Sequence, residues 1–194
     1  MSFFSDAELF DLGFASLGKN VKISRKASIY GAGQISIGNN VRVDDFCILS
    51  AGAGGISIGS FIHIAAYSSL IGKERIQLMD FCNISSRVSI YSNNDDYSGY
   101  CMTNPTVLEE FTGVAHAPVL IGKHAIVGAG SVILPGGCLD QGVAVGALSL
   151  IKEHCHEFGV YCGVPAKRVS ERSRNLLVRE VEFVALLREK GQLS

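Results

Sequence analysis

Tryptophan is absent from the 194 residues, proline occurs only four times, and neither sign of charge predominates, with 17 basic side chains against 18 acidic ones and a formal net charge of −1. That balance removes the electrostatic case for a nucleic-acid or polyanion partner. No apolar run approaches the length needed to cross a bilayer. Residues 1–14 interrupt their apolar side chains with Asp6, Glu8 and Asp11, so they read as neither a secretory segment nor a membrane anchor. The six cysteines are irregularly spaced, and without a leader they are expected to stay reduced. The exclusions leave a soluble, cytoplasmic chain. Its 47% apolar content suffices for one substantial core, hence a single domain spanning 1–194.

What is abundant is glycine, at 22 residues, together with Ile and Val. The aliphatics recur every six positions: Leu17, Ile23, Ile29, then Ile37, Val43, Leu49, then Ile58, Ile64, Leu70, then Leu78, Ile84, Ile90, and finally Ile121 through Val127, Ile133, Leu139 and Val145 to Ile151. Four places after many of them stands a compact residue, among them Ala27, Gly33, Cys47, Ala53, Ser68, Cys82, Val88, Ala125 and Ser131. Helices and half-buried strands predict periods of 3.6 and 2, not six. A chain that turns a corner every six residues does explain the comb. Three faces make an 18-residue coil with every aliphatic aimed into a shaft, and coils stack by parallel pairing roughly 4.8 Å apart.

Breaks in the comb are informative too. Coil starts at Leu17, Ile37, Ile58 and Leu78 are 20, 21 and 20 residues apart, so each early coil carries a small bulge. The next step, to Ile121, is 43 residues, one coil plus 25. A loop over about 93–118, rich in turn formers, must leave the wall there, and such a loop in a strict solenoid is usually functional. Ser5 and Glu8 form a capping box that opens a short helix closed by Gly13, giving an N-terminal cap over 1–16. The β-helix then runs over 17–169. Apolar residues at helical spacing from Leu176 to Leu187 predict a terminal helix over 170–194.

The comb, with Val127-Gly-Ala-Gly-Ser131, Val145-Gly-Ala-Leu-Ser149 and Tyr161-Cys-Gly-Val-Pro165-Ala-Lys-Arg168, resembles the left-handed β-helix acyltransferases over nearly the whole chain. The resemblance implies an all-β solenoid, a left-handed parallel β-helix, that takes acetyl-CoA or another acyl-CoA as co-substrate. It also implies a homotrimer with active sites between subunits. More finely, the stretch Ile37 to Ser50, His63-Ile-Ala-Ala-Tyr67, Asn83-Ile-Ser-Ser-Arg87 and Asp95-Asp-Tyr-Ser-Gly99 are similar to the N-acyltransferases acting on dTDP-4-amino-4,6-dideoxyglucose in viosamine- and anthrose-type pathways. That likeness implies a nucleotide-linked amino sugar as acceptor, an amide product and a place in surface-glycan biosynthesis.

Residues can be assigned to this chemistry. Gly128 and Gly146, like Ala129 and Ala147, are 18 apart and stack into a stripe poor in side chains, on which the pantetheine of coenzyme A can lie, with simple corner residues as the competing reading. Lys152, Lys167 and Arg168, beside Pro165, can meet its phosphates. Related galactoside acetyltransferases carry a catalytic His where the chain leaves for the loop, but here the stretch Tyr91 to Asp96 has none. Asp95 is therefore the leading base or ammonium-orienting group, although a loop aspartate is more often a turn former. Ser85 should face outward under Gly128 and assist at the thioester; a corner serine that only satisfies backbone is the competing reading. A backbone N–H near Gly128 or Ala129 would serve the oxyanion. The match to the amino-sugar enzymes makes Arg87, Asn94 and Tyr97 acceptor contacts, and His63 either an acceptor contact or a structural residue. Arg87 suits a diphosphate, with a salt bridge along the coil as its rival.

The set His154, Cys155, His156 and Cys162 looks metal-like but lacks zinc-finger spacing and the three-His pattern of γ-class carbonic anhydrases, so no metal is expected. His154 and His156 are expected in a surface connection beyond the comb. Two alternatives to amine acylation stay open. One is O-acetylation of a sugar hydroxyl, which the missing His disfavours; the other is a non-catalytic trimeric scaffold.

Overall fold

The computed structural model describes residues 2–192; Met1 of the predicted cap and Leu193 and Ser194 of the predicted terminal helix lie outside it. The comb folds into three walls of parallel strands around one shaft. The first wall has seven strands from Ser16–Leu17 to His154–Cys155, the second seven from Lys22–Ile23 to Gly159–Gly163 plus an antiparallel eighth at Ala166–Glu171, and the third six from Ser28–Tyr30 to Leu150–Ile151. Register follows the comb throughout: Leu17 lies beside Ile37, Ile37 beside Ile58, Leu78 beside Ile121, Ile84 beside Val127, and Ile133 beside Ile151. These aliphatics form one continuous core in which Ile23, Leu49, Ile64, Ile84 and Ile133 are fully buried.

Strands of two to four residues predominate because the corner, not strand length, sets the repeat. The compact residues after the second wall do more than leave room. The Ser68 hydroxyl donates to Ser85 O at 2.9 Å and accepts from Val88 N at 3.3 Å, while Ser131 does the same with Gly146 O and Ser149 N. Backbone turned inward at those corners is thereby satisfied. The first two corners of most coils each carry one residue in left-handed backbone. Besides Asn20 and Asn40 these include Phe46, Phe61, Tyr67, Phe81, Arg87 and His124. Aromatic residues tolerate this poorly in isolation. Here they stack on their counterparts in adjacent coils: Phe61 on Phe81 at 4.9 Å, Phe81 on His124 at 5.1 Å, Phe46 on Tyr67 at 4.9 Å.

All the extra residues leave by one corner, between the third wall and the first. Bulges at 31–34, 52–55 and 73–75 and the loop over 93–118 lie there, while the other two corners keep the six-residue step. Gly33 and Ala53, expected at compact corner positions, therefore stand exposed in bulges.

Helix α1 (Asp6–Asp11) has the predicted capping box, with Gly13 in left-handed backbone beyond it. The C-terminal prediction needs correction. Residues 166–171, whose end overlaps the expected helix, form a strand antiparallel to Gly159–Gly163, and helix α2 spans only Asn175–Glu189. The last parallel strand would otherwise present an open edge, which the returning strand covers. His154 likewise is not in a connection: it pairs with Cys138 as the seventh rung of the first wall, with Cys155 buried beside Leu139 after a step of 16 residues rather than 18.

Candidate active site

The long loop is closed at its root by a short antiparallel ladder in which Asn93 lies opposite His116 and Asn94 opposite Ala115. Beyond it, two adjacent aspartates have different surroundings. The Asp96 carboxylate accepts from the backbone N–H of Ser98 and of Cys101, each at 2.9 Å. The Cys101 bond and the contacts of Ser98 hold its pKa down at about 2. Asp96 is thus the turn former. Asp95 is exposed, and among the described residues its carboxylate has no partner. It lines an open cleft of about 670 Å³ with Asn93, Asn104, Thr112 and His116.

His116 is the residue that sequence reasoning missed. No histidine stands where the chain leaves the coil, but the ladder brings one back where the chain returns. The signal would have been an antiparallel pairing across the loop, which no periodicity announces. Tyr97 is almost fully exposed, at 86%, beyond the ladder that holds Asn94.

The second corner, between the second and third walls, carries the other predicted group. Ser85 N donates to Val127 O at 3.0 Å, which sets Gly128 over Ser85 in the next coil, and Gly146 stands over Gly128. A Cβ on Gly128 would lie 2.5 Å from Ala147 N, against backbone that cannot swing aside, so close stacking alone requires glycine there, whereas one on Gly146 would meet only the Cys162 side chain, which can rotate away. The N–H of Gly128 donates to Val145 O at 2.8 Å and is therefore unable to serve an oxyanion, which corrects that part of the expectation. By contrast, the N–H groups of Ala129 and Ala147 have no partner among the described residues and form a short column of unused donors.

The half-buried Ser85 hydroxyl also lacks a partner there, so it does not satisfy local backbone; Ser68 performs that task. Arg87 lies over the Tyr67 ring at 5.4 Å and pairs with no carboxylate among the described residues, so the salt-bridge reading fails. His63 is tied to the second wall. Its Nε2 lies 2.8 Å from Asp44 Oδ2, and Arg42 Nε donates to Asp44 Oδ1 at 2.7 Å. Burial pushes the Asp44 carboxyl up, but those two hydrogen bonds outweigh it and hold it below the usual range.

Lys152, Pro165, Lys167 and Arg168 do come together, around a small cavity of about 110 Å³ at the C-terminal end of the shaft. Arg168 is paired there with Glu171, and Lys152 lies 3.9 Å from Glu153. This group and the Gly128–Ala147 column belong to the same last coils. The loop group and Ser85 do not share a corner: Asp95 and His116 belong to the third, Ser85 and Ala129 to the second. Within one chain the walls keep these corners apart.

No protein-family model matches the chain. It is 55% identical over 183 residues to a dTDP-4-amino-4,6-dideoxy-D-glucose acyltransferase from Escherichia coli, covering 94% of this chain and 95% of that protein. It also matches solved structures of AntD, an N-acyltransferase from Bacillus cereus. One, in complex with dTDP and 3-hydroxybutyryl-CoA, is 47% identical with a TM-score of 0.93, covering 96% of this chain and 98% of that one. Another, a serine-to-alanine variant in complex with dTDP-4-amino-4,6-dideoxyglucose and coenzyme A, is 48% identical with a TM-score of 0.92, covering 95% and 98%. With that identity across almost its full length, and with the same stacked coils, the chain belongs to the dTDP-4-amino-4,6-dideoxy-D-glucose acyltransferase family.

Proposed function

We propose that the protein transfers an acetyl or other short acyl group from acyl-CoA to the amine of dTDP-4-amino-4,6-dideoxyglucose, as a cytoplasmic homotrimer serving O-antigen or other surface-glycan biosynthesis. The observation that carries the site assignment is the unpartnered Asp95 carboxylate in the loop-root cleft, beside a neighbour that has taken over the turn-forming task. The AntD structures add support: their variants fall on one aspartate and one serine ten residues apart, the spacing of Asp95 and Ser85.

The chemistry follows from those groups. The neutral amine attacks the thioester carbonyl; a C–N bond forms, the C–S bond breaks, and coenzyme A leaves as a thiolate that takes up a proton. Asp95 receives the proton lost by the amine, and His116 is placed to share or relay it. The Ala129 N–H meets the developing oxyanion, and Ser85 orients the thioester. Pantetheine follows the column from Ala129 to Ala147 toward Lys152, Lys167 and Arg168, while His63, Arg87, Asn94 and Tyr97 serve the nucleotide sugar. Because Asp95 and Ser85 stand on different corners, the loop of one subunit works against the second corner of its neighbour.

The decisive assay mixes the protein with acetyl-CoA or 3-hydroxybutyryl-CoA and, separately, dTDP-4-amino-4,6-dideoxyglucose or dTDP-glucose, following free thiol. Thiol release with the amine alone is the expected result. Release with the hydroxyl sugar alone would reassign the enzyme to O-acylation, and none with either would favour the scaffold reading.

A further inference from the structure

The four residues that looked metal-like in sequence are separated by the fold, because Cys155 turns into the core and Cys162 lies on the second wall. A different set is assembled in their place. On the first wall, Cys138 is the ladder partner of His154 and Leu139 that of Cys155, while Asp140 N donates to Cys155 O at 3.0 Å. With Leu139 and Cys155 pointing inward, their flanking residues point outward. Two residues on each of two adjacent coils therefore form a grid: Cys138 and Asp140 on one, His154 and His156 on the next.

The distances within the grid are short. Asp140 Oδ2 lies 2.8 Å from His154 Nε2, Asp140 Oδ1 lies 3.9 Å from Cys138 Sγ, and one ligand atom from each of the three residues falls within 4.8 Å of the others. The His156 ring stands 4.5 Å from that of His154. A tetrahedral zinc ion with bonds of about 2.0–2.3 Å holds its ligand atoms roughly 3.3–3.8 Å apart, so Cys138, Asp140 and His154 need shifts of about 1 Å, and His156, outside that three-residue set, needs a side-chain rotation to join them. A set of one thiolate, two imidazoles and one carboxylate suits a borderline-soft cation such as Zn²⁺ or Co²⁺, not Mg²⁺ or Ca²⁺, which favour oxygen.

We infer that Cys138, Asp140 and His154, completed by His156, form a binding site for a divalent transition cation that clasps the last two coils together. The site lies on the first wall, away from Ser85, and its test is independent of acyl transfer.

Titration of the purified protein with Co²⁺ tests it. The expected result is one equivalent bound per chain, with tetrahedral visible bands and a thiolate-to-metal charge-transfer band, both lost on adding Zn²⁺. Cys138→Ser should abolish the charge-transfer band. His154→Ala should weaken binding more than about tenfold, a loss that even removal of an outer partner of a metal ligand can produce. Asp140→Asn provides a near-isosteric check should His154→Ala fold poorly, and Cys162→Ser, on the other wall, should leave the spectrum unchanged. Zn²⁺ should also raise the melting temperature of the wild type but not of Cys138→Ser. Absence of stoichiometric Co²⁺ binding, or binding without the charge-transfer band, would overturn the proposal.

Discussion

Asp95 and Asp96 are adjacent in sequence, and only their partners tell them apart. Asp96 is held at the loop turn by two backbone donors. The Asp95 carboxylate has no partner among the described residues. Asp95→Asn should lower turnover by about 10²–10⁴-fold, the usual contribution of a positioned base, with the oligomer intact by size-exclusion chromatography. Near-normal turnover in the thiol assay would remove Asp95 from the chemistry. His116→Gln should reduce turnover and alter its pH profile without changing the apparent affinity for coenzyme A; an unchanged profile would make His116 a bystander. The stacked glycines make a prediction of another kind. Gly128→Ala forces a Cβ against the Ala147 backbone, where the neighbour cannot swing aside, and should cost about 1–3 kcal/mol as overpacking, read from the denaturant midpoint. Glycine at 128 and 146 was legible as a stripe, but whether it served ligand or stacking depended on where the missing Cβ would point.

Helix α2 shows how a whole element can rest on a few contacts. None of its side chains is buried, yet Glu180 receives Lys123 Nζ at 2.5 Å and lies 2.7 Å from His124 Nε2. Phe183 meets the stacked Phe61 and Phe81 edge-on. Burial pushes the Glu180 carboxyl up, but its hydrogen bonds and the nearby positive charge outweigh that and hold it below the ordinary range. A depressed carboxylate contributes stability that is complete above its unfolded pKa and is lost as pH falls through its folded one. Amides of α2 should therefore lose hydrogen-exchange protection on acidification before those of the coils, and Glu180→Gln should show the loss already at neutral pH. Equal protection of helix and coils across the titration would dissociate the tether from the helix. The apolar spacing from Leu176 identified the helix, but not its start, because the need to cover the edge left by Gly159–Gly163 claimed residues 166–171 first.

For the whole molecule, the consequential feature is that one chain does not unite its two groups of candidate residues. Asp95 and Ser85 stand at different corners of the shaft, with the third wall between them. If neighbouring subunits complete the site, inactive Ser85→Ala and Asp95→Asn chains should complement one another when unfolded and reassembled together. Random mixing in equal amounts would restore both residues at about a quarter of the interfaces of a cyclic oligomer. Activity no higher than the mean of the two variants would show that each site is built within a single chain.

The sequence by itself determined the three-walled solenoid, the register of the coils up to Ile151, the site and approximate length of the extruded loop and the capped first helix. All of these follow from local periodicity: an inward aliphatic every six residues leaves only one way to bury the comb, and a break in the count marks an excursion. The tertiary structure decided which polar groups were already occupied. It assigned Asp96 to the turn, Gly128 N–H to the ladder and His63 to Asp44. It also brought His116 across the loop to the cleft and set Cys138 and Asp140 beside His154. Such pairings join residues from different coils or opposite ends of a loop, and a hydrogen bond depends on that proximity, whereas a repeat records only the direction each residue faces.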